Sequence, residues 1–394
     1  MKRMLLLFLA CALSMPAWAG PSPATGFTGP ASAEIDRAVR SVCSKDVVFL
    51  GEDDNHGGAT TLALKSLLVE RLVRQCGFRG VVFESQFYDF LDFDRAAADG
   101  SATRDQLNGS IGALWTRFAE FAPLVDWLYA EARAGRLRLA GMDPQAAGIG
   151  AHYSLERLPG ELASVLAADR RTACEAAIHR HDNWEYDDSH SFDAAALSNL
   201  RGCLHDIRGA LDAQGGKAPA DLRAMADSYA SYLEFADEDG RGLREKAMYA
   251  NLMWIRARWP KDTRIVVWCA TVHAAKSIEG ARPGIRSLGS YVHEALGARA
   301  AVIGISALAG SHGNAGGHGK PHALAAAAPG SLEARAFAGH DADSLRFRDG
   351  AQLKAMGKVP ARALDYDTFN ELDWSQLLDG VFVLREETAA MAAH

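Results

Sequence analysis

Beyond its first residues the chain has no run apolar enough to cross a bilayer. It has no Cys-x-x-Cys pair, no Gly-x-Ser-x-Gly turn and no excess of basic charge. A spanning helix needs about 20 apolar residues, so no membrane-spanning helix is expected there. Without paired cysteines the common thiolate zinc motifs fall away. Without the glycine-flanked serine there is no nucleophile elbow of the α/β-hydrolase type, and a serine nucleophile is not expected. Lys and Arg total 42 against 49 Asp and Glu, a net charge of −7. That balance argues against nucleic acid as the main partner and suits a small-molecule substrate.

The first residues have the form of an export signal. Lys2 and Arg3 precede an apolar run from Met4 to Leu13, and Ala17-Trp18-Ala19 offers small residues where a signal peptidase looks for them. The run is too short to span a membrane, so cleavage after Ala19 and a periplasmic or secreted location without a membrane anchor are expected. Cys11 leaves with the signal, and Cys43, Cys76, Cys174, Cys203 and Cys269 remain. In an oxidising compartment five cysteines suggest two disulfides and one free thiol. Cys43 and Cys76 each precede an expected strand, and Cys174 and Cys203 share one helical region. Those are the expected pairs, with Cys269 left over; five reduced, buried thiols are the alternative.

Alternating strand and helix patterns run through the first 150 residues. Asp46–Gly51, Gly80–Ser85 and Arg136–Asp143 are short apolar runs of the kind found in buried parallel strands. Thr60–Cys76 and Trp115–Ala132 carry apolar residues at helical spacing, and Trp115, Phe118, Phe121 and Trp127 suit a core stripe. Residues 152–259 contain no strand run and are expected as a helical insertion. Strand patterns resume at Arg264–Ala270, Ala300–Ala307 and Gly380–Leu384. The expected architecture is α/β: a mostly parallel central sheet flanked by helices, with a helical insertion subdomain. Residues 20–35 are expected as a disordered leader, and 36–394 as one large domain.

In open α/β sheets ligands bind at the carboxyl ends of the strands. Several of these strand ends carry costly polar groups: Glu52 and His56 after the first, Glu84 at the second, Asp143 at the third, His273 after the fourth. Burying such groups is unfavourable unless they face one another or a polar pocket. The segments around them resemble the erythromycin esterase family. Gly51-Glu52…His56-Gly57 is similar to that family's Gly-Glu-x-x-His-Gly, and Val81-Val-Phe-Glu84 to its strand ending in Glu. Trp115…Trp127…Gly141-Met-Asp143 resembles its next helix and strand, and Arg244-Glu-Lys-Ala-Met248…Asn251 its Arg-Asp-x-x-Met-x-x-Asn helix. Val267-Trp268-Cys-Ala-Thr-Val-His273 resembles its Trp-Ala-His-Asn-x-His strand end. Similar blocks continue in order to about residue 390. There are two departures. Asp53, Asp54 and Asn55 separate Glu52 from His56 where the family has two residues, and Ala270 stands where the family has a histidine. An extra residue spans roughly 3.5 Å of chain, enough to swing His56 away from its place.

The resemblance implies ester or lactone hydrolysis by activated water, without metal or cofactor. His56 would be the general base, with an imidazole pKa near neutrality. Glu52 or Glu84 would orient it, and Arg244 or His273 would stabilise the oxyanion. Asp143, Asn251 and Trp268 are candidate substrate contacts; Asp143 also suits a turn or helix cap. Two other readings stand beside this one: a non-catalytic haem or small-ligand binder on a related fold, and a metal-dependent hydrolase with Glu52, His56, Glu84 and His273 as ligands. His179, His181, Asp182, Glu185, Asp187, Asp188 and His190 suit a solvated loop better than a metal site. His312, His318 and His322 in the Gly-rich 310–322 stretch suit a mobile lid.

Overall fold

The computed structural model describes residues 27–146, 152–237 and 240–392. The segment expected to be an export signal, with its expected cut after Ala19, lies outside them. The strands are β1 (Val47–Glu52), β2 (Gly80–Gln86), β3 (Arg138–Asp143), β4 (Ile265–Ala270), β5 (Ala300–His312), β6 (His322–Ala323), β7 (Leu345–Asp349), β8 (Lys358–Ala361), β9 (Asn370–Asp373) and β10 (Gly380–Glu387). Seven of them form one sheet in the order β3-β2-β4-β1-β5-β10-β7, with β6 added to the end of β5; β8 and β9 pair separately. From β3 to β10 every neighbouring pair is parallel, and β7 closes the edge antiparallel to β10. The chain is thus an α/β protein with a mostly parallel central sheet flanked by helices.

β1, β2 and β4 are buried along their whole length, which explains why they read as continuous apolar runs rather than alternating ones. One face of the sheet packs Val47, Phe49, Val82, Val267 and Cys269 against the helices between β3 and β4. The other packs Val48, Leu50, Val81, Phe83, Val266 and Trp268 against the helices Pro30–Val42, Ala59–Cys76 and Ala122–Arg133. Between β3 and β4 the described chain contains no sheet strand. Its longer helices are Ala168–Asp182, Ala194–Gln214, Ala220–Asp237 and Arg241–Arg258.

Several local expectations are corrected. The leader ends earlier than residue 35, because Pro30 starts a helix that buries Ala31 and Ile35. The helix expected from Trp115 to Ala132 is two helices, Ala113–Thr116 and Ala122–Arg133. Pro123 sits in the first turn of the second, where its missing N–H costs nothing, and it could not have continued a helix from Trp115. The 310–322 stretch begins as strand: β5 runs on to His312, whose ring is buried rather than part of a mobile lid. Likewise His181 and Asp182 end a helix and are buried, not solvated. His181 packs against Trp184, Tyr186, Phe192 and Tyr232, and burial pushes its pKa down to about 4. β7 was missed because Leu345–Asp349 alternates apolar and charged residues, the pattern of an exposed edge.

Cys43–Cys76 and Cys174–Cys203 lie at disulfide distance, with Cα separations of 5.1 and 5.4 Å, and Cys269 is a buried free thiol. The Cys174–Cys203 link joins two helices 29 residues apart in sequence. A loop of that length restricts the unfolded chain by about 3–4 kcal/mol in the chain-entropy picture. The Cys174→Ala/Cys203→Ala variant is therefore expected to lose about that much stability. Urea unfolding monitored by circular dichroism checks this, and an unchanged midpoint would show that these cysteines are unlinked in the folded protein.

Candidate active site

The sheet order sets the carboxyl ends of β3, β2, β4 and β1 side by side. Register then aligns the polar strand ends: Asp143 pairs with Gln86, and Ala270 with Glu52. Glu84 at the end of β2 accepts the backbone N–H of Ala270 through Oε2 at 2.9 Å, tying neighbouring strands by a side chain where the ladder stops. Gly51 is needed at this crowded end, since a Cβ there would sit 2.6 Å from Thr271 Oγ1.

The loop after β1 absorbs its extra residue in a tight turn. The His56 N–H donates to the Asp53 carbonyl at 3.0 Å, and His56 takes a left-handed backbone with φ 58°. That conformation is strained for a residue with a Cβ, at a cost of about 1–2 kcal/mol. The surroundings impose it. Asp53 is held by the N–H groups of Tyr366 and Asn55, and the Gly57 and Gly58 backbone bridges to Gly313 and Ala389. The turn returns the imidazole to Glu52: His56 Nδ1 donates to Glu52 Oε1 at 3.0 Å. Trp115 Nε1 donates to the same oxygen at 2.8 Å, and Lys65 Nζ lies 3.2 Å from Oε2. Burial alone would push the His56 pKa down, but the Glu52 carboxylate outweighs it and the net shift is upward.

The second cluster is built on Glu84. Its Oε1 accepts from Arg244 Nη2 at 3.1 Å and lies 3.0 Å from His273 Nε2. Arg244, from the helix Arg241–Arg258, also pairs with Asp143, whose Oδ1 accepts the Gln145 N–H at 3.1 Å. Asp143 is both turn residue and ion-pair partner. His273 Nδ1 makes a short contact with Glu245 Oε1, and Glu245 Oε2 accepts the Leu288 N–H at 2.8 Å. Two cations and three carboxylates are thereby packed together. Burial opposes the charge on His273, yet Glu245 and Glu84 raise its pKa to about 10. Burial likewise opposes the Glu84 carboxylate, and His273 and Arg244 hold it well below the usual range.

Between the clusters lies a cavity of ≈ 440 Å³, into which His56, Glu84, Arg244 and His273 face, along with the apolar side chains of Leu114, Val272, Ile278 and Ile285. Asp54 and Arg282, paired at 2.9 Å, stand at the same opening. The five residues expected to carry the chemistry, Glu52, His56, Glu84, Arg244 and His273, are brought to this one region. None of the three expected substrate contacts lines the cavity, and Asp143 stands behind Arg244 as its ion-pair partner. Asn251 is buried and donates to the Met142 carbonyl at 3.0 Å and Ser228 Oγ at 2.9 Å, clasping helix to β3. The fully buried Trp268 ring lies beneath Lys65, 4.1 Å from the ammonium. The metal-ligand set does not fit, because Glu84 and His273 are saturated by Arg244, Glu245 and each other. Among the described residues the carboxylates grouped closely enough for a cation are Asp53, Asp54 and Asp365, and Asp53 and Asp54 already have the partners named above.

Sequence reading missed Lys65, Glu245 and the Trp115 indole as members of the site. Glu245 was visible as the neighbour of Arg244 in a recognised segment. Lys65 was hidden inside an apolar helix, and Trp115 was taken only as core.

A model of the erythromycin esterase family matches residues 73–374, and the chain belongs to that family. No curated protein matches it in sequence. Three crystal structures share the fold. A Bacillus cereus protein is 16% identical over 95% of each chain, with a TM-score of 0.70. A succinoglycan biosynthesis protein is 15% identical over 94% of each, also at 0.70. A mutant of the erythromycin esterase EreC, in its open conformation, is 14% identical over 91% of this chain and 94% of its own, at 0.66.

The charge cluster has a pH signature. The folded pKa of His273 is raised, so its contribution to stability is complete below pH 6.5 and lost as pH rises towards 10. Glu84 is the reverse: its contribution is present above its ordinary value of 4.5 and lost as pH falls below it. The stability difference between wild type and His273→Asn, measured by urea unfolding, should therefore be largest near pH 6 and shrink by pH 10. A difference that is flat across that range would show that His273 is uncharged in the fold.

Proposed function

We propose that this member of the erythromycin esterase family is an exported hydrolase that opens a carboxylic ester or lactone with water activated by His56. The observation that carries this reading is the asymmetry of the two histidines. His273 has a carboxylate on each ring nitrogen and serves as a fixed cation. Among the described residues His56 is engaged through Nδ1 alone, so Nε2 is the nitrogen left for the cavity it lines.

In the proposed reaction His56 Nε2 takes a proton from water as the oxygen bonds to the carbonyl carbon. Glu52 stabilises the imidazolium so formed. The oxyanion is met by Arg244 Nη1, which has no carboxylate partner among the described residues. Collapse of the tetrahedral species breaks the carbon–oxygen bond, and the leaving alkoxide takes the proton back from His56. Because these charges are already in place, little reorganisation accompanies the step. The apolar wall of the cavity suits the uncharged body of an ester or lactone. The two cysteine pairs at disulfide distance support an oxidising location.

Chromogenic esters and a macrolide panel, tested on the mature protein, are the assay. His56→Ala should lower kcat by about a hundredfold or more, the scale of losing a general base, with the circular dichroism spectrum intact. The acid limb of kcat/KM should lie above the ordinary imidazole pKa of 6.5, since the base acts when neutral and its pKa is raised. Glu52→Gln should move that limb to lower pH and slow turnover. Unimpaired hydrolysis by His56→Ala would sink the mechanism.

A further inference from the structure

Lys65 is on the second turn of the helix Ala59–Cys76, and its side chain is completely buried. A lysine ammonium without water is costly unless each of its donors is used. Here they converge on one place. Nζ lies 3.2 Å from Glu52 Oε2 at the end of β1, donates to the Cys269 carbonyl of β4 at 3.2 Å, and sits 4.1 Å above the centre of the Trp268 ring. Trp115 occupies Glu52 Oε1 from another side, sharing it with His56. The carboxylate that orients the base is thus hydrogen-bonded through Oε1, while the buried Oε2 accepts no hydrogen bond and meets the Lys65 ammonium as an ion pair at 3.2 Å.

We propose that Lys65 is a positioning residue for the reaction assigned above: its ammonium locks the ionised Glu52 carboxylate in the rotamer that holds His56 Nδ1 and turns Nε2 to the cavity. The inference rests on the His56 reading. Lys65 does not touch the cavity and acts through Glu52. A hydrophobic side chain of equal length would fill the same space, so packing does not account for a charge here. Buried ion pairs are in general no more stabilising than apolar replacements.

Lys65 also balances the electrostatics of the base. The charged and titratable groups facing His56 are Glu52, Asp53 and Asp54 from its own strand and loop, Glu84 from β2, and Lys65. Those facing Lys65 are Glu52, Glu84 and the Cys269 thiol. Asp54 is paired with Arg282 and Glu84 with Arg244 and His273, and burial raises the Asp53 pKa to about 7; Lys65 is the cation set against Glu52, and its charge draws the His56 pKa down. Without it, His56 would hold its proton to higher pH.

The test is Lys65→Met, which keeps the length of the side chain and removes the charge. His56 is titrated by NMR through its ring C–H resonance, assigned by its absence in His56→Ala, and kcat, KM and the kcat/KM pH profile are measured alongside. The expected result is that His56 titrates at higher pH and that the acid limb moves with it. The kcat should fall about tenfold or more, as when a group orienting a catalytic side chain is lost, with KM little changed. Because Lys65→Met leaves Glu52 buried and unpaired, the double variant Lys65→Met/Glu52→Gln is the control for folding. On the alkaline side of the acid limb, where the charge of Lys65 no longer decides the protonation of His56, it should be no slower than Glu52→Gln alone, since the rest of the effect of Lys65 runs through Glu52. A His56 titration and acid limb that stay in place while the protein melts at lower temperature would overturn the proposal and leave Lys65 as scaffold. So would a double variant much slower than Glu52→Gln. If His56→Ala keeps its activity, the reading of the base fails instead, and the NMR titration still decides whether Lys65 controls His56.

Discussion

The bonds of Glu84 hold the site together. One carboxylate, standing where β2 leaves the sheet, accepts the Ala270 N–H of β4, the guanidinium of Arg244 and the imidazole of His273. Arg244 reaches on to Asp143 at the end of β3, and His273 on to Glu245, which in turn caps the helix Leu288–Leu296. Three strands and three helices, counting the short Thr271–Ala274 that carries His273, therefore meet at a few charges, buried except for the partly exposed Arg244. Desolvating such a set costs several kcal/mol per ion, and only near-complete mutual satisfaction repays it. That requirement fixes the geometry of the cavity wall more tightly than apolar packing could, because charges tolerate little displacement from their partners.

The Glu52 side of the cavity is organised differently. There the backbone carries strain, with His56 held in a left-handed conformation by a turn pinned to Tyr366, Gly313 and Ala389. Glu387 from β10 secures the next element, accepting the Thr60 and Thr61 N–H groups at the start of the helix that bears Lys65. A rigid wall of paired charges thus faces a single imidazole that is held through one nitrogen among the described residues. Such an arrangement supplies charge in advance of reaction, which is where enzymes gain most over water.

Much of the sheet was legible along the chain. Buried parallel strands are short apolar runs, and their polar ends stand out because an acid beside such a run is expensive. Glu52, Glu84, Asp143 and His273 were found in that way, and Arg244 from the resemblance of its segment. The misreadings share a cause. Trp115 has the spacing of a core residue and is one, but its indole N–H has a second use that spacing does not record. Lys65 is surrounded in sequence by leucines, and nothing local shows that its helix face meets the end of β1. Asn251 and Trp268 lie in segments that contribute to the site, yet their side chains turn away from the cavity towards Met142 and Lys65.

Strand order separates the two kinds of information. Periodicity and polarity specify which residues are buried, which strand each belongs to and which charges need partners, since those are properties of short segments. Which charge meets which depends on β4 inserting between β2 and β1, about 180 residues later in the chain than β2. That insertion pairs Glu84 with Ala270 and His273 and brings the Cys269 carbonyl to Lys65. The residue types were written in the sequence. Their division into an imidazole held between two carboxylates and one bonded to a single carboxylate came from the sheet, because hydrogen-bond partners are set by distance in space and not by separation along the chain.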